Sequence, residues 1–422
     1  MSASANFRYT VWFYGLFALT GMTALQLQVA WKRDLTLIFG ASHTATAIVL
    51  AAFMGGLALG GWLLGRYVER VERPLRLYAL LELAVAGCAL LMPLALMLVE
   101  QAYFGLVRGV GEATAWLNTV RASFALLVLL APTFFMGGTL PILAKALSRH
   151  PEAYGVQLPR LYGINTSGAV LGTLLSGFVL LPWLGVLKTE LTAVAINSAV
   201  GLFALWLDGR LQQAERAAPA QESAPAALRA ASSESKGALQ LVFYATALCG
   251  FCALALEVLW TRALVIVLGA TAYNFALMLS AFLSGIALGG LLAQWRPIRR
   301  APLSLLQALV LVLIGACSLA ATQYLPALPE LSLRINQFFY TGFEGVRPLT
   351  SFGIAFAVMF VPALLFGVAF PLAARARSVL QTAYGQATGE SLGINTLGSV
   401  LGALLAGFVF IPWLGLQESM LW

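Results

Sequence analysis

One glycine-rich stretch occurs twice in this chain, and it constrains the fold more than any other feature. Residues 163–185, from Gly163-Ile164-Asn165-Thr166 to Pro182-Trp183-Leu184-Gly185, return as residues 393–415, from Gly393-Ile394-Asn395-Thr396 to Pro412-Trp413-Leu414-Gly415. Seventeen of the 23 aligned positions are identical at an offset of 230. Asn, Thr, Pro and Trp match as well as Gly and Leu, so low complexity does not explain the identity. Each copy carries no charge from its Asn to its Trp and is long enough to cross a bilayer. Gly168-x-x-x-Gly172 and Gly398-x-x-x-Gly402 place small residues on one helix face, where a second backbone can approach closely.

The rest of the chain is as apolar as these two stretches. Hydrophobic residues make up 60% and charged residues 10%, against roughly 25% charged in a soluble domain. The composition predicts an all-α polytopic membrane protein. The net charge of +8 is spread between apolar runs rather than gathered in one patch, so it does not suggest a nucleic-acid partner. All four cysteines fall inside apolar segments, and Cys249-x-x-Cys252 reads as a pair of small packing residues, not a redox motif.

Apolar runs of span length lie near 9–31, 42–65, 75–99, 118–146, 160–182 and 186–207. A polar stretch over 208–237, rich in Ala, Ser, Glu, Gln and Arg, reads as a linker. Spans resume near 239–261, 271–294, 302–323, 350–375 and 390–412. The expected division is a first six-helix repeat over 1–207, a linker over 208–237, and a second repeat over 238–422 whose sixth helix, the twelfth of the chain, is missing. The repeat extends beyond the opening stretch. Leu19-x-Gly21 through Trp31-x-Arg33 aligns with Leu248-x-Gly250 through Trp260-x-Arg262, and Gly40-Ala41 with Gly269-Ala270. Pro132 and Pro141 align with Pro362 and Pro371. An even number of spans per unit makes the repeat parallel, about an axis along the membrane normal.

With the N-terminus inside, seventeen of the 25 Lys and Arg residues fall on inside segments and eight outside. The positive-inside rule therefore predicts a cytoplasmic N-terminus and linker.

Few acids fall within the spans. A charge there is costly, so each is a functional candidate by default. Glu82 lies in the third span and Glu257 in the seventh. The repeat crosses them with amides: Gln28 stands where Glu257 stands, and Gln307 where Glu82 stands. Glu257, Gln28 and Glu82 are the expected substrate- or proton-binding residues. A structural ion pair of Glu257 with Arg262, or of Glu82 with an Arg, is the plainer alternative. Asn165 and Asn395 are expected to cap or to hydrogen-bond between helices, or to gate. The proline pairs remove backbone hydrogen bonds and are expected to kink the fourth and tenth spans beside a cavity, or merely to bend them. Trp31 and Trp260 fall where interfacial aromatics belong. His43 and His150 have no metal-ligand spacing, and no glycine-rich nucleotide loop follows a strand. No catalytic residue, metal or cofactor is expected.

These features carry two resemblances. A six-plus-six parallel repeat with an inside linker resembles the major facilitator superfamily. The loop Gly65-Arg66-Tyr67-Val68-Glu69-Arg70-Val71-Glu72-Arg73 is similar to that family's loop signature, with Glu69 in place of the usual Asp and Glu72 where Gly is usual. The resemblance implies that the second, fifth, eighth and eleventh helices form the interface between the halves. Those spans carry Gly56/Gly60, Gly168/Gly172, Gly285/Gly289 and Gly398/Gly402. It also implies that the first, fourth, seventh and tenth line a cavity. The wording Leu256-Glu257-Val258-Leu259-Trp260-Thr261-Arg262, the Pro-to-Pro segments and the two Gly-Ile-Asn-Thr-x-Gly stretches resemble the membrane module of bacterial fused spermidine synthase-like proteins. That resemblance implies a bacterial inner membrane and a cytoplasmic aminopropyltransferase-like domain as partner, although no residues here could carry the transfer. Together the two imply a transporter of a small organic cation such as a polyamine, or, alternatively, a non-transporting membrane anchor or scaffold for the synthase-like domain.

Overall fold

The computed structural model describes residues 3–40, 42–107, 114–148, 151–217, 234–338, 346–381 and 383–421. Among them every regular element is helical. The first half holds α1 (Ala3–Phe39), α2 (His43–Tyr67), α3 (Pro74–Val107), α4 (Thr114–Leu147), α5 (Pro151–Leu175) and α6 (Leu181–Ala217). The second holds α7 (Lys236–Leu268), α8 (Ala272–Leu292), the short α9 (Arg296–Arg300), α10 (Leu303–Tyr324), α11 (Leu328–Phe338), α12 (Val346–Leu380), α13 (Tyr384–Leu405) and α14 (Ile411–Leu421).

Ten helical stretches among the described residues are long and apolar enough to cross a membrane. One of them, Ala153–Gln213, has 61 residues. A continuous helix of that length would reach roughly 90 Å, about three times the hydrocarbon thickness. Gly185 divides it: φ is 74° and ψ is 178°, a backbone conformation that a Cβ would strain. Gly415 repeats the break with φ 74° and ψ 177°. The chain is thus a multi-pass membrane protein, with eleven helical segments of crossing length among the described residues and a further short helical segment after Gly415. Each break follows a π-helical turn, over Ser176–Leu180 and Ala406–Phe410. Two further positive-φ glycines, Gly40 (90°) and Gly269 (91°), end α1 and α7 at matching repeat positions. Ser42, Ser235 and Thr271 start α2, α7 and α8 by accepting from the backbone N–H three residues on.

The linker differs from the expectation at its first end. α6 runs on to Ala217, into the stretch read as linker, and α7 begins at Lys236; residues 218–233 lie outside the described set. At the second end Glu234 folds back onto the N-terminus of α10. Its carboxylate accepts from the N–H groups of Leu303 (2.9 Å) and Ser304 (2.8 Å), and from the Ser304 hydroxyl. Burial pushes this carboxyl up, but those bonds outweigh it and hold its pKa below the ordinary carboxylate range. A lowered folded-state pKa gives stability that is present above the unfolded value and lost as pH falls through the folded one. Glu234→Gln should flatten the acid limb of thermal stability against pH, read from melts of the purified chain. An unchanged limb would show that this contact adds nothing.

Glycine sets the packing inside each half. A Cβ on Gly168 or Gly172 would run into the carbonyls of Ala18 or Met22 in α1. A Cβ on Gly398 or Gly402 would run into those of Ala247 or Phe251 in α7. These four residues therefore seat α5 on α1 and α13 on α7, within the halves. The expectation that this glycine spacing lies between the halves is corrected here, because each face meets its own first helix. Gly56 and Gly60 likewise seat α2 on Thr133 and Phe134 of α4, and Gly285 and Gly289 seat α8 on Phe360 and Leu364 of α12. The halves meet mainly along α2 with α13 and α5 with α8. The glycines used there are others: Gly65 against Gly385 and Gly389, and Gly163 against Leu291.

Pro132, Pro141, Pro362 and Pro371 are buried, and α4 and α12 continue helical through them. Asn165 and Asn395 sit well inside α5 and α13, so neither caps a helix. The Asn165 carbonyl fits against Gly21, and that of Asn395 against Gly250. Thr246 Oγ1 donates to Asn395 Oδ1 at 3.4 Å, an interhelical bond of the expected kind. The tryptophans exchange roles. Trp31 and Trp260 are 1% and 0% exposed, whereas Trp183 and Trp413 are 81% and 80% exposed. The last pair, not the first, has the exposure of interfacial anchors.

Candidate functional site

Two polar constellations lie at opposite ends of the bundle. At the end that holds the N-terminus, the halves are tied together around Glu390, in α13 and 6% exposed. Arg66 of α2, in the other half, donates to Glu390 Oε1 from Nε (3.2 Å) and Nη2 (3.1 Å). Arg377 of α12 donates to Oε2 from Nε (2.7 Å), with Nη2 at 2.5 Å. Gln386 and Gln381 complete the shell at 2.8 and 3.3 Å. Such charge-assisted bonds to both oxygens make the carboxylate the hub of the closure. Beside it Glu69 accepts from the Gln386 N–H at 3.1 Å and faces Lys145 at 3.8 Å. Lys145 also donates to the Val68 and Val71 carbonyls at 2.6 and 3.1 Å. Tyr154 stacks on Tyr384 at 4.9 Å and bonds Thr388 at 2.8 Å across the halves. The 65–73 loop therefore contributes Arg66 and Glu69 to an inter-half closure. Glu390 is the residue that reading the spans missed, because it lies near the start of the eleventh and looked like a span-end acid.

At the other end the halves part around a cavity of about 710 Å³. α1 lines it with Val29, Lys32, Arg33, Thr36 and Leu37, and α7 with Glu257, Val258, Thr261, Arg262 and Val265. α2, α8 and the turns around Gly177 and Ile411 supply the rest. Glu257 is 9% exposed, and its electrostatic neighbour is Lys32 of the opposite half. The Lys32 ammonium in turn stands 3.1 Å from the centroid of the Phe275 ring of α8. An aromatic face offsets part of the cost of holding a cation away from water. Arg262, the ion-pair partner considered from the sequence, lines the same cavity without bonding Glu257.

The structure brings only Glu257 of the three expected binding residues to this cavity. Gln28 is buried on α1 outside the lining. Glu82 is 1% exposed between α1 and α3, where it accepts from Thr20 Oγ1 at 2.9 Å, and Tyr78 holds that hydroxyl at 2.6 Å. Its repeat counterpart Gln307 donates to Cys249 Sγ at 3.5 Å. Glu82 and Gln307 thus make the same first-to-third helix contact in the two halves. The four prolines are also absent from the lining, so the expectation that the fourth and tenth spans border the cavity does not hold for this one. Those spans are turned onto α2 and α8, where Gly137 and Gly367 lie against the carbonyls of Leu57 and Ile286. Lys32 and Arg33 were overlooked because they looked like outer-loop charges. Their signal was position: they continue the helix that carries Trp31.

The chain matches no protein-family profile and no curated protein by sequence. Its structure is similar to solved transporters over nearly its whole length. A major facilitator superfamily transporter, FucP, in the outward conformation, aligns with a TM-score of 0.53 at 15% identity, over 96% of this chain and 94% of that one. The fold is major-facilitator-like. The nucleoside transporter NupG aligns at 0.53 and 13% identity, over 98% and 94%. The human organic anion transporter MFSD10 aligns at 0.51 and 14%, over 100% and 97%. Glu257 and Lys32 lie on the first helices of the two repeats and face one another across the inter-half cavity.

Proposed function

We propose that the chain is a facilitator-like transporter of a small charged organic solute, taken up in the cavity between the halves. The observation that carries this reading is a cavity lined by both halves, open at one end, with a cross-half tie around Glu390 at the other. Interconversion of two such closures would expose one site to each side of a membrane in turn. The charge bias of the sequence supports a cytoplasmic N-terminus and linker, and the sequence resemblance implies a bacterial inner membrane. Glu257 is the carboxylate of the lining, with Lys32 as its electrostatic neighbour; an amine-bearing solute of the kind the sequence resemblance implies, a polyamine among them, would compete with Lys32 for it.

Uptake of labelled spermidine and putrescine into proteoliposomes, with and without a pH gradient, tests this. A counterflow panel of amino acids and small organic acids extends it to other solutes. Glu257→Gln should lower flux of the carried solute by roughly tenfold or more, since it removes a charge-assisted contact in a dehydrated site. If folded, oriented protein moves no solute and Glu257→Gln changes nothing, the anchor reading for a synthase-like domain takes its place.

A further inference from the structure

The transport reading leaves open which charge the solute bears, and the cavity constrains it. Three cations, Lys32, Arg33 and Arg262, line the cavity against the single carboxylate Glu257. Asp34, the other acid beside Arg33, is not part of the lining. Lys32 and Glu257 face one another and largely cancel. The two guanidiniums remain, and the repeat relates them: Arg33 and Arg262 occupy the same position in the two halves. Both are exposed, and Asp34 is the electrostatic neighbour of Arg33. The two guanidiniums border one cavity from opposite halves, where like charges repel.

We infer that the solute carries an anionic group, a carboxylate or a phosphate, held between Arg33 and Arg262. The planar fork of Arg matches the oxygens of either group in a bidentate manner, which a lysine does not. One anion shared by the two would convert repulsion between the halves into a bridge, so occupancy itself would draw the outer end closed. Glu257 and Lys32 then lie beside the anion, where an amine on the same solute meets the carboxylate. A polycation without an anionic group would instead add charge to a space already in excess of positive charge. This inference rests on the transport reading only for its consequence; the anion site can be tested by binding alone.

The test is thermal unfolding of the purified full chain in detergent, titrated separately with succinate, inorganic phosphate and spermidine. At least one of the two anions should raise the Tm of the wild type, and spermidine should not. Arg33→Gln and Arg262→Gln should each weaken the anion's apparent Kd by roughly tenfold or more, with Arg262→Lys intermediate because it keeps charge but loses the fork. Both arginines are exposed, so the unliganded Tm of each variant should stay at the wild-type value and serves as the folding control. No shift with either anion, or a shift that survives both glutamine variants, overturns the inference. So does a spermidine shift that Glu257→Gln abolishes. Counterflow with the bound anion separates the two readings. Binding without flux sinks the transport proposal and leaves the anion site standing, whereas spermidine flux without anion binding does the reverse.

Discussion

Gly168→Leu should abolish stable folding of the chain, and Gly398→Leu should do the same in the second half. A Cβ at Gly168 meets the Ala18 carbonyl group, and one at Gly398 meets that of Ala247. Backbone cannot rotate away as a side chain can, so α5 must move off α1, or α13 off α7. In a bilayer the close approach of helices is itself a main source of association energy, because lipid offers no hydrophobic drive between them. Overpacking in a fitted interior costs about 1–3 kcal/mol and occasionally more, and a leucine wedged against main chain belongs at the upper end. The matched control is Gly87→Leu on α3, where an added Cβ meets nothing within 4 Å. That change should be neutral or stabilising by up to about 1 kcal/mol, since glycine is a poor interior helix residue. Monodispersity in detergent and Tm would read all three. Comparable Tm values for Gly168→Leu and Gly87→Leu would refute the packing argument.

Glu390→Gln is expected to release the end of the bundle that holds the N-terminus. The substitution removes the negative charge from the Arg66 and Arg377 guanidiniums while keeping the side chain's shape. Breaking a buried pair costs about 3–5 kcal/mol. The Arg66 side chain is 50% exposed and that of Arg377 26%, so water takes up part of the loss and about 2 kcal/mol is the appropriate scale. That corresponds to a shift of roughly 30-fold in the ratio of closed to open forms. The readout is labelling of Ala387→Cys, a fully buried position next to Glu390, by a water-soluble maleimide. Labelling should accelerate in the Glu390→Gln background, with Glu390→Asp falling between. An unaltered rate would mean that glycine contacts such as Gly65 on Gly389 hold this end without help from the charges.

The parallel repeat explains why so much of the architecture could be read from residues alone. Uninterrupted apolar length defines a membrane crossing, and the matching of Asn, Pro and Trp across an offset of 230 defines a duplicated unit. Both are properties of the chain taken in order. The eleven crossings follow the expectation, and so does the meeting of the halves through the second, fifth, eighth and eleventh spans, which the family resemblance implies; the pairing of second with eleventh and fifth with eighth came from the structure. Gly185 and Gly415 close the repeated motif in the sequence, but the helix breaks there emerged only from the backbone, at a φ of 74° that only glycine adopts comfortably.

The site was legible only in part, and the reason lies in how helices turn. Scarcity of acids in apolar spans singled out Glu82 and Glu257 equally, because the cost of a buried charge depends on depth and not on direction. Which way each helix faces is set by packing. α3 turns Glu82 toward Thr20 of α1, while α7 turns Glu257 into the space between the halves. The same applies to the glycines, whose spacing promises a close contact without naming the partner helix. Lys32, Arg33 and Arg262 looked like outer-loop charges until α1 and α7 were seen to carry them along one cavity wall. Glu390 and Arg66 are 324 residues apart, and their pairing exists only once the halves meet. The sequence by itself determined the membrane character, the crossings and the duplication, which depend on local hydrophobicity and on identity at fixed offset. The tertiary structure alone decided which charges face one another, since that depends on the rotation of each helix about its axis against neighbours distant in the chain.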